Sequence, residues 1–212
     1  MAVLLVLYAI IAGMLIKVPA LPILHETIRN LFYHVPMWFS MMTLMIVSVI
    51  YSVKYLSSSS EKHDIIAWQA SVSGLFFGFM GIFTGMVWAN FTWGQPWPND
   101  PKLNGSAITI LIYLAYIILR NSVQDEQKRA RVSAVYNIFA FVMLVVFLMV
   151  LPRITDSLHP GNGGNPAFST YDLDSRMRLV FYPAYFGWTL IGVWMLNVRY
   201  RISMVERILM FK

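Results

Sequence analysis

Six apolar stretches, each close to the length of a membrane-spanning helix, are the strongest constraint on how this sequence can fold. They lie roughly at residues 2–17, 36–55, 65–88, 104–119, 134–151 and 179–198. A helix needs about 20 mostly apolar residues to cross roughly 30 Å of hydrocarbon. With 58% hydrophobic and only 12% charged residues, the chain is too apolar for a water-soluble domain. We expect an all-α integral membrane protein, a single six-helix domain over residues 1–212.

The lysines and arginines suggest an orientation in the membrane. The first stretch lacks a basic leader and a clear small-residue cleavage site, which favours a retained helix over a secretory signal. Cytoplasmic N- and C-termini put the larger basic set inside, as the positive-inside rule requires. The inner set is Lys54, Lys62, Arg120, Lys128, Arg129, Arg131, Arg199, Arg201, Arg207 and Lys212, and the outer set is Lys17, Arg29, Lys102, Arg153, Arg176 and Arg178.

The composition argues against several classes of function. The chain has no cysteine, which excludes thiolate metal sites, thiol catalysis and covalent haem attachment through a C-x-x-C-H motif. The predicted spans carry no ionisable residue away from their ends, which disfavours a proton-driven transporter. No phosphate-binding loop is present. The net charge of +6 is distributed beside the spans, so we expect no nucleic-acid partner. Because the sequence shows no catalytic nucleophile and no nucleotide site, we also expect no catalytic residue.

Four glycines in the third stretch share one helical face. Gly74, Gly78, Gly81 and Gly85 follow each other at offsets of four, three and four residues. Small residues at this spacing let another helix approach closely. The pattern therefore predicts tight helix packing.

A tryptophan-rich segment, residues 88–103, follows this stretch and is predicted to be an outer loop. Trp88, Trp93 and Trp97 alternate there with glycine and proline. One interpretation is an aromatic anchor at the membrane interface. The other is a rigid shelf of indole faces that binds a large, flat, apolar ligand. Asp100 is either the N-cap of the following helix or, more simply, an exposed turn residue.

Three of the four histidines fall outside, in loops near this segment. An iron porphyrin held on both faces needs two imidazoles, and His34 and His159 lie in different outer loops. His25, in an outer loop of residues that can form a surface helix, is the main competing ligand. His63 is interpreted as a solvated inner residue.

Outer basic residues could neutralise carboxylates on an anionic ligand. Arg29 lies close in sequence to His34, and Lys102 lies close to the tryptophan segment, which makes them better candidates than the other outer cations. Contact with lipid headgroups is the alternative for each of them. The other candidates are Arg153, Arg176 and Arg178.

Three motifs together resemble the haem-handling membrane protein family, which is marked by a W-G-x-x-W-x-W-D loop between two outer histidines. The motifs are Tyr33-His34-Val35-Pro36, Trp93-Gly94-Gln95-Pro96-Trp97-Pro98-Asn99-Asp100-Pro101-Lys102-Leu103 and Leu158-His159-Pro160-Gly161. The resemblance covers essentially the whole chain, and the short six-span layout is most similar to the CcmC branch of this family, the haem exporter subunits of cytochrome c maturation.

The resemblance implies that His34 and His159 are the axial ligands of a haem b iron. It implies that the remaining contacts to the cofactor come from Trp88, Trp93, Gly94, Trp97, Asp100, Arg29 and Lys102. It also implies a haem carrier in a bacterial inner membrane that serves a periplasmic CcmE-like haem chaperone. Its further partners would be a CcmA/CcmB-like ABC transporter pair and a small CcmD-like membrane subunit.

Two positions depart from the family motif. Asn99 stands where the pattern has its last tryptophan, so stacking area is lost, and Lys102 stands where many relatives have arginine and cannot form a bidentate contact. Two alternatives remain at this stage: the haem-presenting component of a cytochrome c synthase, and a subunit of a membrane haem or quinone oxidoreductase. The oxidoreductase would need haem ligands at membrane depth, where the predicted spans carry no histidine.

Overall fold

The fold was taken from a computed structural model that describes residues 1–159 and 173–210. The sequence predicts an outer loop with His159 over residues 152–178, of which residues 160–172 lie outside the described residues, as does Lys212. The described chain is all-α, which confirms the predicted fold class. Its helices are α1 Ala2–Leu15, α2 Leu31–Ser58, α3 Glu61–Trp93, α4 Pro101–Ser122, α5 Glu126–Val145, α6 Leu151–Ile154 and α7 Ser175–Met210.

Within residues 1–159 and 173–210, five helical segments are long and apolar enough to cross a membrane. α1 is also apolar, but its 14 residues correspond to only about 21 Å at 1.5 Å per residue. Large apolar side chains such as Ile118 and Phe83 are exposed on the surface of the helix bundle, as expected where lipid is the solvent. The chain is therefore a multi-pass membrane protein, and a crossing by α1 stays a prediction.

The helices extend beyond the predicted apolar spans because capping residues, and not hydropathy, determine where they end. α3 continues to Trp93 and stops where Gly94 adopts a left-handed conformation, φ 79°, and donates its N–H to the Asn90 carbonyl. α4 begins at Pro101, directly after the N-cap Asp100. The connection between the two helices is therefore residues 94–100, shorter than the loop predicted over residues 88–103.

The ends of α2, α3, α4, α6 and α7 meet at one end of the bundle, here called the Trp-loop end. A 3₁₀ helix, His25–Asn30, leads into α2 there. Its Thr27 hydroxyl lies 2.9 Å from the Thr92 hydroxyl near the end of α3. The predicted outer segments that the structure describes therefore lie together.

The glycine face of α3 packs against α2, as the spacing predicted. A Cβ atom at Gly81 would come within 2.6 Å of the Trp38 ring, and one at Gly85 within 2.8 Å of Cε1 of His34. The absence of side chains at these two positions leaves room for two aromatic rings on α2. The packing stripe thus also positions a candidate ligand.

A π-helical turn, Val146–Val150, joins α5 to α6. A Cβ atom on Gly105 of α4 would come within 2.7 Å of the Phe147 carbonyl oxygen, so the two backbones are in close contact here. A π turn changes which side chains of a helix face inward. Here the inward residues include Leu148 and Met149.

A buried ion pair stabilises the opposite end of the bundle. The Arg120 guanidinium donates to both carboxylate oxygens of Asp64 at 2.7 and 2.6 Å, and it lies 5.0 Å from the centre of the Trp68 ring. Both partners of the pair are 7% exposed. Arg120, which the sequence marked only as an orientation signal, therefore links α4 to α3.

Replacing Arg120 by methionine is expected to lower the free energy of unfolding by about 3 kcal/mol, because Asp64 would remain buried without its partner. The matched control is Arg129→Met, which breaks an i,i+3 pair with the exposed Glu126 and should cost about 0.5 kcal/mol. Thermal unfolding of both variants in the same detergent measures the difference. Equal shifts would show that burial adds nothing to the Arg120 pair.

Candidate functional site

A cavity of about 260 Å³ lies at the Trp-loop end, between α2, α3, α4 and the segment from the π turn to His159. Its lining is mostly apolar and aromatic, with methionines from three different helical segments. Such a surface fits a flat hydrophobic ligand. The lining residues are Leu31, His34, Val35, Trp38, Phe39, Met42, Gly81, Ile82, Gly85, Met86, Trp88, Trp97, Lys102, Leu103, Ser106, Leu148, Met149, Pro152, Arg153 and His159.

His34 lies in the first turns of α2, and its ring is held on several sides. Its Nδ1 lies 3.1 Å from the Thr84 hydroxyl of α3. The ring makes edge contacts with Trp88 at 5.7 Å and with Trp38 at 6.3 Å between centroids. With Nδ1 engaged, Nε2 is the nitrogen available to a ligand in the cavity.

His159 follows α6 and lines the same cavity. Its Nδ1 lies 3.2 Å from Oδ1 of Asp100, at contact distance but without the alignment of a hydrogen bond. The ring also packs against Trp93, with centroids 4.7 Å apart. As with His34, the second ring nitrogen is the one left for a ligand. The structure thus brings the two predicted ligands to one cavity.

Asp100 is the central polar residue of this end of the molecule and is 1% exposed. Its Oδ1 accepts the backbone N–H groups of Lys102 and Leu103, which caps α4. Its Oδ2 accepts the Ser157 hydroxyl at 2.8 Å and the Leu158 N–H at 2.7 Å. The cap predicted from the sequence is confirmed, and the simpler interpretation of an exposed turn residue is wrong.

The charge state of Asp100 follows from these contacts. Burial alone raises the pKa of the carboxyl, but the adjacent His159 ring, the Leu158 N–H and the Ser157 hydroxyl together hold that pKa well below its usual range. The group is therefore a carboxylate at neutral pH. A carboxylate beside a histidine orients the ring and raises its strength as a metal ligand.

Two tryptophans of the predicted shelf line the cavity, and the third packs against His159. Trp88 is buried in the wall, and its indole N–H donates to the Thr27 hydroxyl at 3.2 Å. Trp97 lies at the cavity edge, with its N–H donating to the Asn104 amide oxygen. Trp93 is not a lining residue and instead supports His159. Gly94 ends α3 and also lies outside the lining.

Asn99, in the place of the motif tryptophan, helps to fix the loop. Its amide oxygen accepts the Nδ2 group of Asn104 at 3.1 Å, while the Oδ1 of Asn104 accepts the Trp97 indole. Asn99 is exposed and does not line the cavity. The departure from the motif thus exchanges an aromatic surface for a hydrogen bond that orients Trp97.

Of the outer basic residues, Lys102 and Arg153 line the cavity. Arg29 does not: its guanidinium donates to the Gly13 and Ile16 carbonyls and pairs with Glu26, which ties the 3₁₀ helix to the end of α1. Nearness in sequence to His34 therefore did not bring Arg29 to the cavity. Arg153, which was ranked lower, lies there because α6 follows the π turn.

The remaining two histidines lie elsewhere. His25 is exposed in the 3₁₀ helix and does not line the cavity. His63 is close to the Ser58 hydroxyl at the opposite end of the bundle. Trp38 and Thr84 are site residues that the sequence analysis missed. Trp38 could have been predicted from the sequence, because a residue four positions after His34 lies on the same helical face as His34.

Comparison with known proteins gives consistent matches. The family model described as cytochrome C assembly protein matches residues 1–159. Heme exporter protein C of Bradyrhizobium diazoefficiens is 31% identical over 121 residues, which are 57% of this chain and 46% of the relative. Heme exporter protein C of Paracoccus denitrificans is 25% identical over 185 residues, 85% of this chain and 75% of the relative.

A second group of relatives matches a shorter region. Cytochrome c biogenesis protein CcsA of Prochlorococcus marinus is 33% identical over 93 residues. That match covers 44% of this chain and 29% of the relative. The chain therefore matches less than half of the Bradyrhizobium protein and under a third of this CcsA protein.

Proposed function

This chain belongs to the cytochrome c assembly protein family, and from that premise we propose that it binds haem b between His34 and His159 and passes it on during cytochrome c maturation. The family and its relatives give the chain a role in cytochrome c biogenesis and haem handling. The observation that carries the finer proposal is that both histidines line one apolar cavity, each with Nδ1 turned to a protein group.

The chemistry of the donor set fits an iron porphyrin. Two neutral imidazoles supply the two axial positions of a six-coordinate iron, and the macrocycle brings its own four equatorial nitrogens. Among the described residues, no group of three or more histidines or carboxylates is placed to hold a bare metal ion. Two imidazoles on an apolar, aromatic lining suit a metal that arrives within a flat organic ligand.

The cavity also fits the other parts of haem. Trp38 and Trp88 offer aromatic surface to the apolar ring, while Lys102 and Arg153 supply positive charge for two propionates. We propose Lys102 and Arg153 as these partners in preference to Arg29, because both line the cavity and Arg29 does not. Trp93 and Asp100 contribute by orienting His159.

The two ligands differ in how firmly they are built into the fold. His34 is part of the long helix α2, whereas His159 lies beyond the last turn of α6 and is held through Asp100 and Trp93. In our proposal His34 is the fixed ligand and His159 is the one withdrawn at release. When the two segments move apart, the haem is released to its acceptor protein.

We further propose an inner-membrane location with the Trp-loop end toward the periplasm. The members of the larger basic set that the structure describes lie at the opposite end, as expected for cytoplasmic segments. The acceptor would be a periplasmic haem chaperone, and the energy for the exchange would come from an ABC transporter pair assembled with a small membrane subunit. This exporter role is preferred to that of a synthase component because the exporter relatives match much more of the chain.

Haem binding by the purified full-length chain tests the proposal. Titration with ferric haem should saturate at one haem per chain and give a six-coordinate, bis-imidazole spectrum. Haem dimethyl ester, which has no free carboxylates, should bind about tenfold more weakly, equivalent to about 1.4 kcal/mol. Failure to saturate would refute the haem site, and equal binding of acid and ester would refute the role of Lys102 and Arg153.

A further inference from the structure

The contacts of Thr84 indicate which nitrogen of His34 carries a proton. The Thr84 hydroxyl donates its single hydrogen to backbone carbonyls of its own helix, at 2.8 Å to Met80 and 3.2 Å to Gly81. Toward His34 Nδ1, 3.1 Å away, the hydroxyl oxygen can then only accept. This arrangement favours the tautomer with hydrogen on Nδ1 and a free lone pair on Nε2.

The same contact fixes the direction of the ring. Trp88 and Trp38 meet the imidazole edge-on, and the bare backbone of Gly85 closes its remaining side. These contacts restrict the position of the ring plane but do not distinguish one ring nitrogen from the other. The hydroxyl of Thr84 does, because only one orientation of the ring places a nitrogen beside it, and the ring also has a hydrogen bond to the Gly81 backbone.

We propose that Thr84 is a positioning residue for haem binding, which holds His34 with Nε2 toward the cavity and increases its donor strength. The inference rests on the proposed function, since it assigns His34 to the iron. Hydrogen bonding from the distal N–H of a ligating histidine makes the imidazole more basic. A more basic ligand stabilises ferric over ferrous haem, so Thr84 also lowers the reduction potential.

The test compares Thr84→Val, which has nearly the same shape but no hydroxyl, with Thr84→Ser, which keeps the hydroxyl. Thr84→Val should weaken ferric haem binding by about 10- to 100-fold, the usual effect of losing such a partner, and should raise the reduction potential of the haem that still binds. Thr84→Ser should resemble the parent protein in both measurements. Potential is measured per bound haem and so remains informative at low occupancy.

Thr109→Val is the matched control. Thr109 is fully buried on α4, and its hydroxyl donates to the Gly105 carbonyl within its own helix at 2.9 Å. Its loss should leave haem affinity and potential unchanged. If Thr84→Val does not fold, Thr84→Ala removes the same hydroxyl without adding a methyl group.

The outcomes separate this inference from the proposed function. Parental affinity and potential in Thr84→Val would overturn the role of Thr84 while leaving the haem site intact. Equal defects in Thr84→Val and Thr84→Ser would overturn it too, because the hydroxyl would not be the active group. Absence of haem binding in the parent protein would instead refute the proposed function itself.

Discussion

The double variant His34→Ala, His159→Ala is expected to lose the six-coordinate haem spectrum of the purified protein completely. Both axial positions would be empty, and the apolar walls alone give weak, unspecific binding. Each single variant should retain a five-coordinate haem with an affinity at least about tenfold lower, since each iron–imidazole bond contributes well over 1.4 kcal/mol. Visible spectra during haem titration measure both coordination and affinity.

His25→Ala and His63→Ala are the matched controls for this prediction. His25 is the main competing ligand from the sequence, yet it is exposed outside the cavity, and His63 lies at the opposite end of the bundle. Both variants should bind haem as the parent does. A six-coordinate spectrum in the double variant, or its loss in His25→Ala, would refute the ligand assignment.

The fold was predictable from hydropathy, but the positions of the helix ends were not. Apolar stretches indicate which residues contact lipid, and they predicted the positions of the five long apolar helical segments found among the described residues. The ends depend on local backbone chemistry instead: Gly94 stops α3 after Trp93, and Asp100 with Pro101 starts α4. For this reason Trp88 and Trp93, predicted in a loop, lie on the last turns of a helix.

The grouping of several residues around one cavity was predictable where a motif spans several segments at once, while their binding of haem stays a prediction. His34, His159, Trp88, Trp97 and Lys102 do line one cavity. The motif interpretation did not anticipate Arg153 because the π turn that precedes α6 has no recognisable sequence signal. Thr84 also escaped notice, because a hydroxyl within an apolar helix is most often bonded to its own backbone.

Asp100, which contacts His159, also holds the tryptophan loop and the His159 segment together, and the sequence did not predict this connection. One carboxylate oxygen caps α4, and the other accepts donors from residues 157 and 158. The end of the tryptophan loop and the start of the His159 segment therefore share a single buried charge. Movement of one segment must disturb the other, which couples the loop to His159, the proposed second iron ligand.

Asp100→Asn is expected to weaken haem binding by about 10- to 100-fold, in the range found for partners of ligating histidines. Asparagine is as good an N-cap as aspartate, so α4 should still begin at Pro101. Its amide NH₂, however, would face the Ser157 hydroxyl and the Leu158 N–H, which are donors in the present structure. The His159 segment would lose its docking site while the helix start is preserved.

The same variant should lower the free energy of unfolding by about 1 to 3 kcal/mol, since buried donors lose their acceptor. Asp156→Asn is the matched control, because Asp156 is an exposed carboxylate three residues before His159. It should change stability by less than about 0.5 kcal/mol and leave haem affinity unaltered. Similar losses in both variants would indicate a general effect of charge and contradict a specific role for Asp100.

The pKa of Asp100 predicts how this docking depends on pH. Because its neighbours hold that pKa below the usual carboxyl value of about 3.9, folding favours the ionised form. The stabilisation is then fully present above about pH 4 and is lost only as the pH falls through the lower folded value. Infrared difference spectra between the parent and Asp100→Asn should therefore contain no protonated-carboxyl band at about pH 5. Such a band would mean that the carboxyl binds a proton in the folded state, and that burial outweighs the contacts from residues 157–159.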